Sequence, residues 1–209
     1  RSLEAQLAAA RAYALSRLGR HDEAVEDARR NAESAAARGT PDDEAVAAFD
    51  LGTILLQAGE HGEAAARLRS ALAGTSAPLP RALARLRLAE ALAGVGAPDD
   101  AQEELGRVPF EPIGPADAPE ALVAHLTRIQ ALVAGARGDT DLARRRLDEA
   151  EAAWRRLGGA GPAGDAYTAV LVDLGRPPVA GLVEPERELA RLARDRAALA
   201  VISPSVPGV

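Results

Sequence analysis

Small and apolar residues recur in this chain at fixed offsets from a series of glycines. The glycines are Gly19, Gly59, Gly96, Gly138 and Gly175, at intervals of 40, 37, 42 and 37 residues. Seven residues before each stands a small side chain: Ala12, Gly52, Ala89, Ala131 and Thr168. Four before stands an apolar one: Leu15, Leu55, Leu92, Ala134 and Leu171. Five after stands an alanine, Ala24, Ala64, Ala101, Ala143 or Ala180, and nine after the first four glycines come Ala28, Leu68, Leu105 and Leu147. Self-similarity at a fixed period marks a repeat architecture. The pattern predicts helices over 3–18, 21–38, 42–58, 61–73, 80–95, 98–107, 118–137, 140–157, 162–174 and 184–200.

Each offset has a physical reason. The glycine ends one helix in the left-handed conformation, which is cheap only for Gly. Acids such as Asp22 and Glu23, or Asp99 and Asp100, open the next helix near its positive dipole end. The small residue and the alanine sit where two antiparallel helices cross, so the backbones approach closely. The leucines fill the space between neighbouring pairs. The fifth copy is degenerate, because Pro177-Pro178 after its glycine stops a helix from running straight on.

The best copy, Leu51-Gly52, Leu55, Gly59, Ala64, Leu68 and Ala71 with Pro78 after it, resembles the tetratricopeptide repeat (TPR) family. The resemblance covers residues 3–157 well and 162–200 poorly. The usual unit is about 34 residues, so these copies carry longer linkers, at Gly39-Thr40-Pro41 and from Pro109 to Pro119. The large aromatic early in the first helix is mostly missing. In this the chain is similar to the Ala/Arg-rich repeats of actinobacterial LuxR-type and related transcriptional regulators. The resemblance implies an all-α, right-handed superhelical solenoid of about five antiparallel helix pairs over residues 1–200. Residues 184–200 are expected to cap it, with Arg191, Arg194 and Arg196 turned to water, and 201–209 to form a frayed tail.

Composition narrows the function classes. Hydrophobic residues make up 47% of the 209-residue chain and aromatic residues 2%. The apolar content is therefore Ala, Leu and Val, which suits closely packed helices better than sheet. All 25 basic residues are Arg. Without Lys there is no Schiff-base chemistry, no Walker lysine and no Lys/Asn clamp of the kind some family members use on a C-terminal carboxylate. Without Cys there are no disulfides and no thiolate zinc site. Met is absent too, so the chain is expected to be processed or cut from something longer. A net charge of −6 without a basic patch argues against nucleic acid. No apolar run reaches about 18 residues, so no membrane span is expected, and a cytoplasmic location is the expectation.

The candidates for chemistry each have a plain structural reading. His21 and His61 follow a repeat glycine by two residues, a turn slot often filled by His or an aromatic in this family, and no second ligand stands at helical spacing. His125 is satisfied locally or lines a groove. Asp42-Asp43, Asp99-Asp100 and Glu103-Glu104 open helices or face water. Arg144-Arg145-Arg146 has Asp148, Glu149 and Glu151 beside it. The glycines at Gly158, Gly159 and Gly161 follow no strand, against a phosphate cradle. No Gly-x-Ser-x-Gly elbow occurs. Val183 to Leu192 resembles the opening of a LuxR-type helix-turn-helix, but no recognition helix follows.

The remaining functional surface is the groove. In TPR proteins the first helix of each pair lines the concave face. Counting three, six, ten and thirteen residues back from each glycine leads to Gln6, Tyr13 and Ser16, then Val46, Phe49, Thr53 and Leu56, then Leu83, Leu86 and Glu90, then His125, Arg128 and Leu132. Helix 118–137 carries a second apolar run, Leu126, Ile129, Leu132 and Val133, out of phase with its core positions. The groove residues singled out are Tyr13, Phe49, Thr53, Leu56, Leu86, Glu90, His125 and Arg128. Whether they hold a partner or pack against one another stays open at this point. The expected function is a non-catalytic protein–protein interaction scaffold, needing no cofactor or metal, that binds a protein, peptide or inducer in the groove. As a refinement, it is the sensor or effector module of a larger bacterial transcriptional regulator. The alternatives are a stand-alone adaptor or a self-assembling homo-oligomer, and, less favoured, an enzyme.

Overall fold

The computed structural model describes residues 3–76, 78–108, 120–159 and 185–202. These residues are helical apart from short turns: α1 (Leu3–Arg17), α2 (His21–Arg38), α3 (Pro41–Ala58), α4 (His61–Gly74), α5 (Pro78–Gly94), α6 (Pro98–Gly106), α7 (Glu120–Ala136), α8 (Thr140–Gly159) and α9 (Pro185–Ile202). There is no strand among the described residues. The predicted helix ends fall within two residues of these. The helix expected over 162–174, the linker from Pro109 to Pro119 and positions 203–209 lie outside the described residues. Val201 and Ile202, expected in a frayed tail, instead complete the last turn of α9, which Leu199 anchors by its burial.

Four turns are built alike. Gly19, Gly59, Gly96 and Gly138 hold φ between 76° and 83°, a region that costs Gly little and other residues much. At each, the glycine N–H donates to the carbonyl three residues back, at 3.0–3.2 Å. The next N–H donates to the carbonyl of Leu15, Leu55, Leu92 or Ala134, at 2.9–3.0 Å. This bond pattern is that of a Schellman ending. The apolar residue four before each glycine therefore has two tasks, since its carbonyl closes the turn while its side chain is buried.

The turns fold α1 on α2, α3 on α4, α5 on α6 and α7 on α8. Small residues meet at the crossings. A Cβ at Gly52 would lie 2.7 Å from Leu68 Cγ and 3.3 Å from the Ala64 carbonyl oxygen. Each hairpin packs on the next, and α1, α3, α5 and α7 touch in that order. Close approaches recur between hairpins: a Cβ at Gly94 would lie 2.5 Å from Cγ of His61, whose ring rests on the end of α5. Leu51, Ile54, Leu55, Leu88, Leu122 and Trp154 are among the fully buried side chains. Ile129 and Val133, from the second apolar run of α7, join this core. The α9 helix lies against α8 and touches α7. No helix among the described residues is long and apolar enough to cross a membrane.

Candidate functional site

A cavity of about 840 Å³ is lined by the first helix of every described hairpin and, across from them, by α9. Tyr13 and Ser16 reach it from α1, Phe49, Thr53 and Leu56 from α3, Leu83 and Glu90 from α5, and His125, Arg128 and Leu132 from α7. Seven of the eight residues singled out from the sequence thus line one space. Leu86 does not. It is 2% exposed and belongs to the core between hairpins, because the counted register places it on the side of α5 turned to its neighbours. Gln6 and Val46 also fall outside the lining.

Several lining groups are already engaged. The Tyr13 hydroxyl donates to Asp50 Oδ1 at 2.9 Å, tying α1 to α3. The Thr53 hydroxyl donates to the Phe49 carbonyl at 2.9 Å, one turn back, so its oxygen serves its own helix. Ser16 and Gln57 are hydrogen-bonded through their side chains.

Part of the lining is ionic. Arg128 donates from Nη1 to Glu90 Oε1 at 2.8 Å and from Nε to Asp195 Oδ2 at 2.7 Å. Arg87 reaches the other Glu90 oxygen at 2.9 Å. Arg191 stands 3.4 Å from Glu90 and 3.7 Å from Glu188, and Glu188 Oε2 lies 3.9 Å from His125 Nδ1. The result is a balanced set of three guanidiniums and three carboxylates, with Glu90 and Arg128 at 6% and 4% side-chain exposure at its centre. Pairing of this kind is what permits charge to be buried at all.

The cluster corrects one expectation. Arg191 does not turn to water. It faces inward on Glu90, because α9 carries Glu188, Arg191 and Asp195 on the face it presents to the wall. Arg196 is partly exposed and pairs with Asp148 and Glu151 on α8, whereas Arg194 is exposed at the rim of the cavity.

These surroundings set the protonation states. Burial pushes the Glu90 carboxyl up, but Arg128, Arg191 and Arg87 overcome burial and hold it well below the usual carboxylate range. Glu188 is lowered in the same way against its own burial, by His125 and the neighbouring arginines. Arg191 has Glu90 raising it, yet burial and the like charge of Arg128 and Arg87 leave it below its ordinary value. His125 is pushed down to about 4 by burial, against the pull of Glu188. Its ring meets Trp154 edge-on, with centroids 5.1 Å apart at 78°. Near neutral pH Glu90 and Glu188 are therefore charged and the His125 imidazole is not. Among the described residues, no three His, Asp or Glu side chains converge in a manner that could hold a metal ion.

Sequence reasoning missed Asp50, Arg87, Glu188 and Asp195. A signal for part of this was present: successive first helices carry an acid, Glu90, and a base, Arg128, on otherwise apolar faces. Nothing local pointed to α9 as their partner, since Asp195 lies 67 residues from Arg128. A scan against protein-family models and a search of curated proteins both return no match.

Proposed function

We propose that this chain is a non-catalytic, TPR-like interaction scaffold that holds a partner segment in the cavity lined by α1, α3, α5 and α7. The observation that carries this reading is the common space itself. Four hairpins with the same turn chemistry each contribute their first helix to it. A right-handed superhelical stack is the natural arrangement for such units. The lining combines Tyr13, Phe49 and Leu56 with a few fixed charges, and aromatic and Arg side chains supply most binding energy in interfaces. An amphipathic helix or extended segment fits such a surface. Catalysis has little to work with here, because Glu90 and Glu188 stay ionised at neutral pH and the Thr53 hydroxyl is spent on its own backbone. The repeat resemblance favours a sensor or effector role within a larger regulator.

The test is selection from a displayed peptide library on the purified chain, followed by calorimetric titration of the winners against Phe49→Ala. A groove anchor loses about 2 kcal/mol or more of binding with a nearly normal melt. Selected peptides that bind Phe49→Ala as tightly as the parent would remove the cavity as the site.

A further inference from the structure

We propose that α9 is an exchangeable wall of this cavity, which it lines from Arg187 to Leu199, standing where a partner helix with the same side-chain pattern binds. That pattern is an acid, then arginine, leucine, acid and leucine at three, four, seven and eleven positions further on, as in Glu188, Arg191, Leu192, Asp195 and Leu199. The proposal rests on the cavity being a partner site, and it names the chemistry and the control of that site.

Three observations support it. The first is how α9 is held. Among its described side chains, Leu192 and Leu199 alone are buried. Leu189 packs half-buried against the same core, and the rest of its grip on the wall is ionic, through Asp195 on Arg128, Arg191 on Glu90 and Glu188 beside His125. Buried ion pairs are weak contributors to stability, because desolvation offsets their attraction, but a mismatched charge there is strongly penalised. Such a contact selects the right helix without fixing it permanently. The helix α3, by contrast, is buried along most of its length.

The second is the connection. Twenty-five residues separate Gly159 from Pro185. Because α9 belongs to the same chain as the cavity, its effective concentration there stays high whatever the concentration of a partner. A partner in trans must exceed that threshold, which makes α9 a built-in control on occupancy.

The third is the part of the lining that α9 leaves to others. It packs on α8 and α7, and Arg187 reaches the Arg17 carbonyl at 3.4 Å. Phe49 and Leu56 stand on α3 and line the same cavity. A partner helix that uses the ion cluster and continues along α3 adds apolar contact to what α9 already makes, and this gives it the means to win.

The experiment uses the full chain. Hydrogen–deuterium exchange at neutral pH should show the α9 amides exchanging at least tenfold faster than those of α5 and α7. A fluorescent peptide spanning Pro185–Ile202, followed by anisotropy, should bind Asp195→Arg, whose own α9 is repelled by Arg128, at least tenfold more tightly than it binds the parent. The same peptide with Glu188→Lys and Asp195→Lys should lose that gain. If α9 exchanges only together with α5 and α7, the helix is a fixed part of the fold and the proposal falls. It falls equally if folded Asp195→Arg takes up the peptide no better than the parent. Sedimentation showing the parent chain paired through its α9 with a second copy would assign the cavity to self-assembly instead. A library-selected peptide that depends on Phe49 while α9 protection stays unchanged would keep the partner site and overturn the exchange alone.

Discussion

Replacing Arg128 by Met tests the ion cluster directly. The side chain is 4% exposed and bridges Glu90 on α5 to Asp195 on α9. Removing one member of a buried pair costs about 3–5 kcal/mol, because the abandoned charge stays desolvated. Here the low end applies. Glu90 keeps Arg87 at 2.9 Å and Arg191 at 3.4 Å, and Asp195, 15% exposed, has some access to water. The expectation is about 3 kcal/mol, which lowers Tm by about 6–12 °C in a chain of this length. The control is Arg144→Met, whose partner Asp141 is 78% exposed; surface pairs contribute about 0–1 kcal/mol. Glu90→Gln combined with Arg128→Met should cost less than the two changes added, since the stranded charge is then gone. Acid adds a second readout. Glu90 has a depressed pKa in the fold, so its contribution is present above its unfolded value of 4.5 and is lost as pH falls through the folded value. Without Arg128, burial acts on Glu90 against less opposition, and this acid loss shrinks. Urea denaturation followed by far-UV circular dichroism measures the first effect at pH 7 and the second from pH 4 downward, below the window in which His125 titrates. Arg128→Met as stable as Arg144→Met at pH 7 would show that the cluster does not hold a desolvated charge.

Three further predictions bear on other parts of the argument. The His125 pKa falls from 6.5 unfolded to about 4 folded; stability is unaffected above 6.5, declines as pH drops from there, and is lower by about 3 kcal/mol once below 4. His125→Phe should remove that part of the acid loss in denaturation curves taken across this window, and an unchanged pH profile would place the acid sensitivity elsewhere. At the crossing of α3 and α4, Leu68→Ala should cost about 2–5 kcal/mol through its cavity and Ala64→Leu about 1–3 kcal/mol by overpacking, measured by urea melts; two neutral results would contradict the packing of Gly52 on Leu68. In a mobility-shift assay the chain should show no tight, salt-sensitive retention of duplex DNA, because its arginines are interleaved with acids; a retained complex would revive the helix-turn-helix likeness of Val183 to Leu192.

Local chemistry was enough to place the nine described helices and the four glycine turns among them. A positive φ is cheap only for glycine, so Gly19, Gly59, Gly96 and Gly138 could be read as helix ends before any packing was known, and all four hold that conformation. Close crossings exclude side-chain bulk, so Gly52 and Ala64 marked a contact whose tightness the structure records. The face of each first helix came from the same count together with the repeat resemblance, and seven of the groove residues it pointed to share one cavity. Leu86 shows the limit of that count. Its spacing fits the lining, but whether a position on the edge of a helical face points into a cavity or into the neighbouring helix depends on how α3, α5 and α7 are rotated against one another, which no local rule contains. The same holds more strongly for α9. Its sequence reads as an exposed cap, since Arg191 and Asp195 suit water well. Only the tertiary structure supplies Glu90 and Arg128 opposite them, and only such partners make burial of those charges affordable. Helix positions are decided within about a turn of the chain, whereas the ion cluster joins residues 38 and 67 positions apart, and that pairing exists only once the hairpins have stacked.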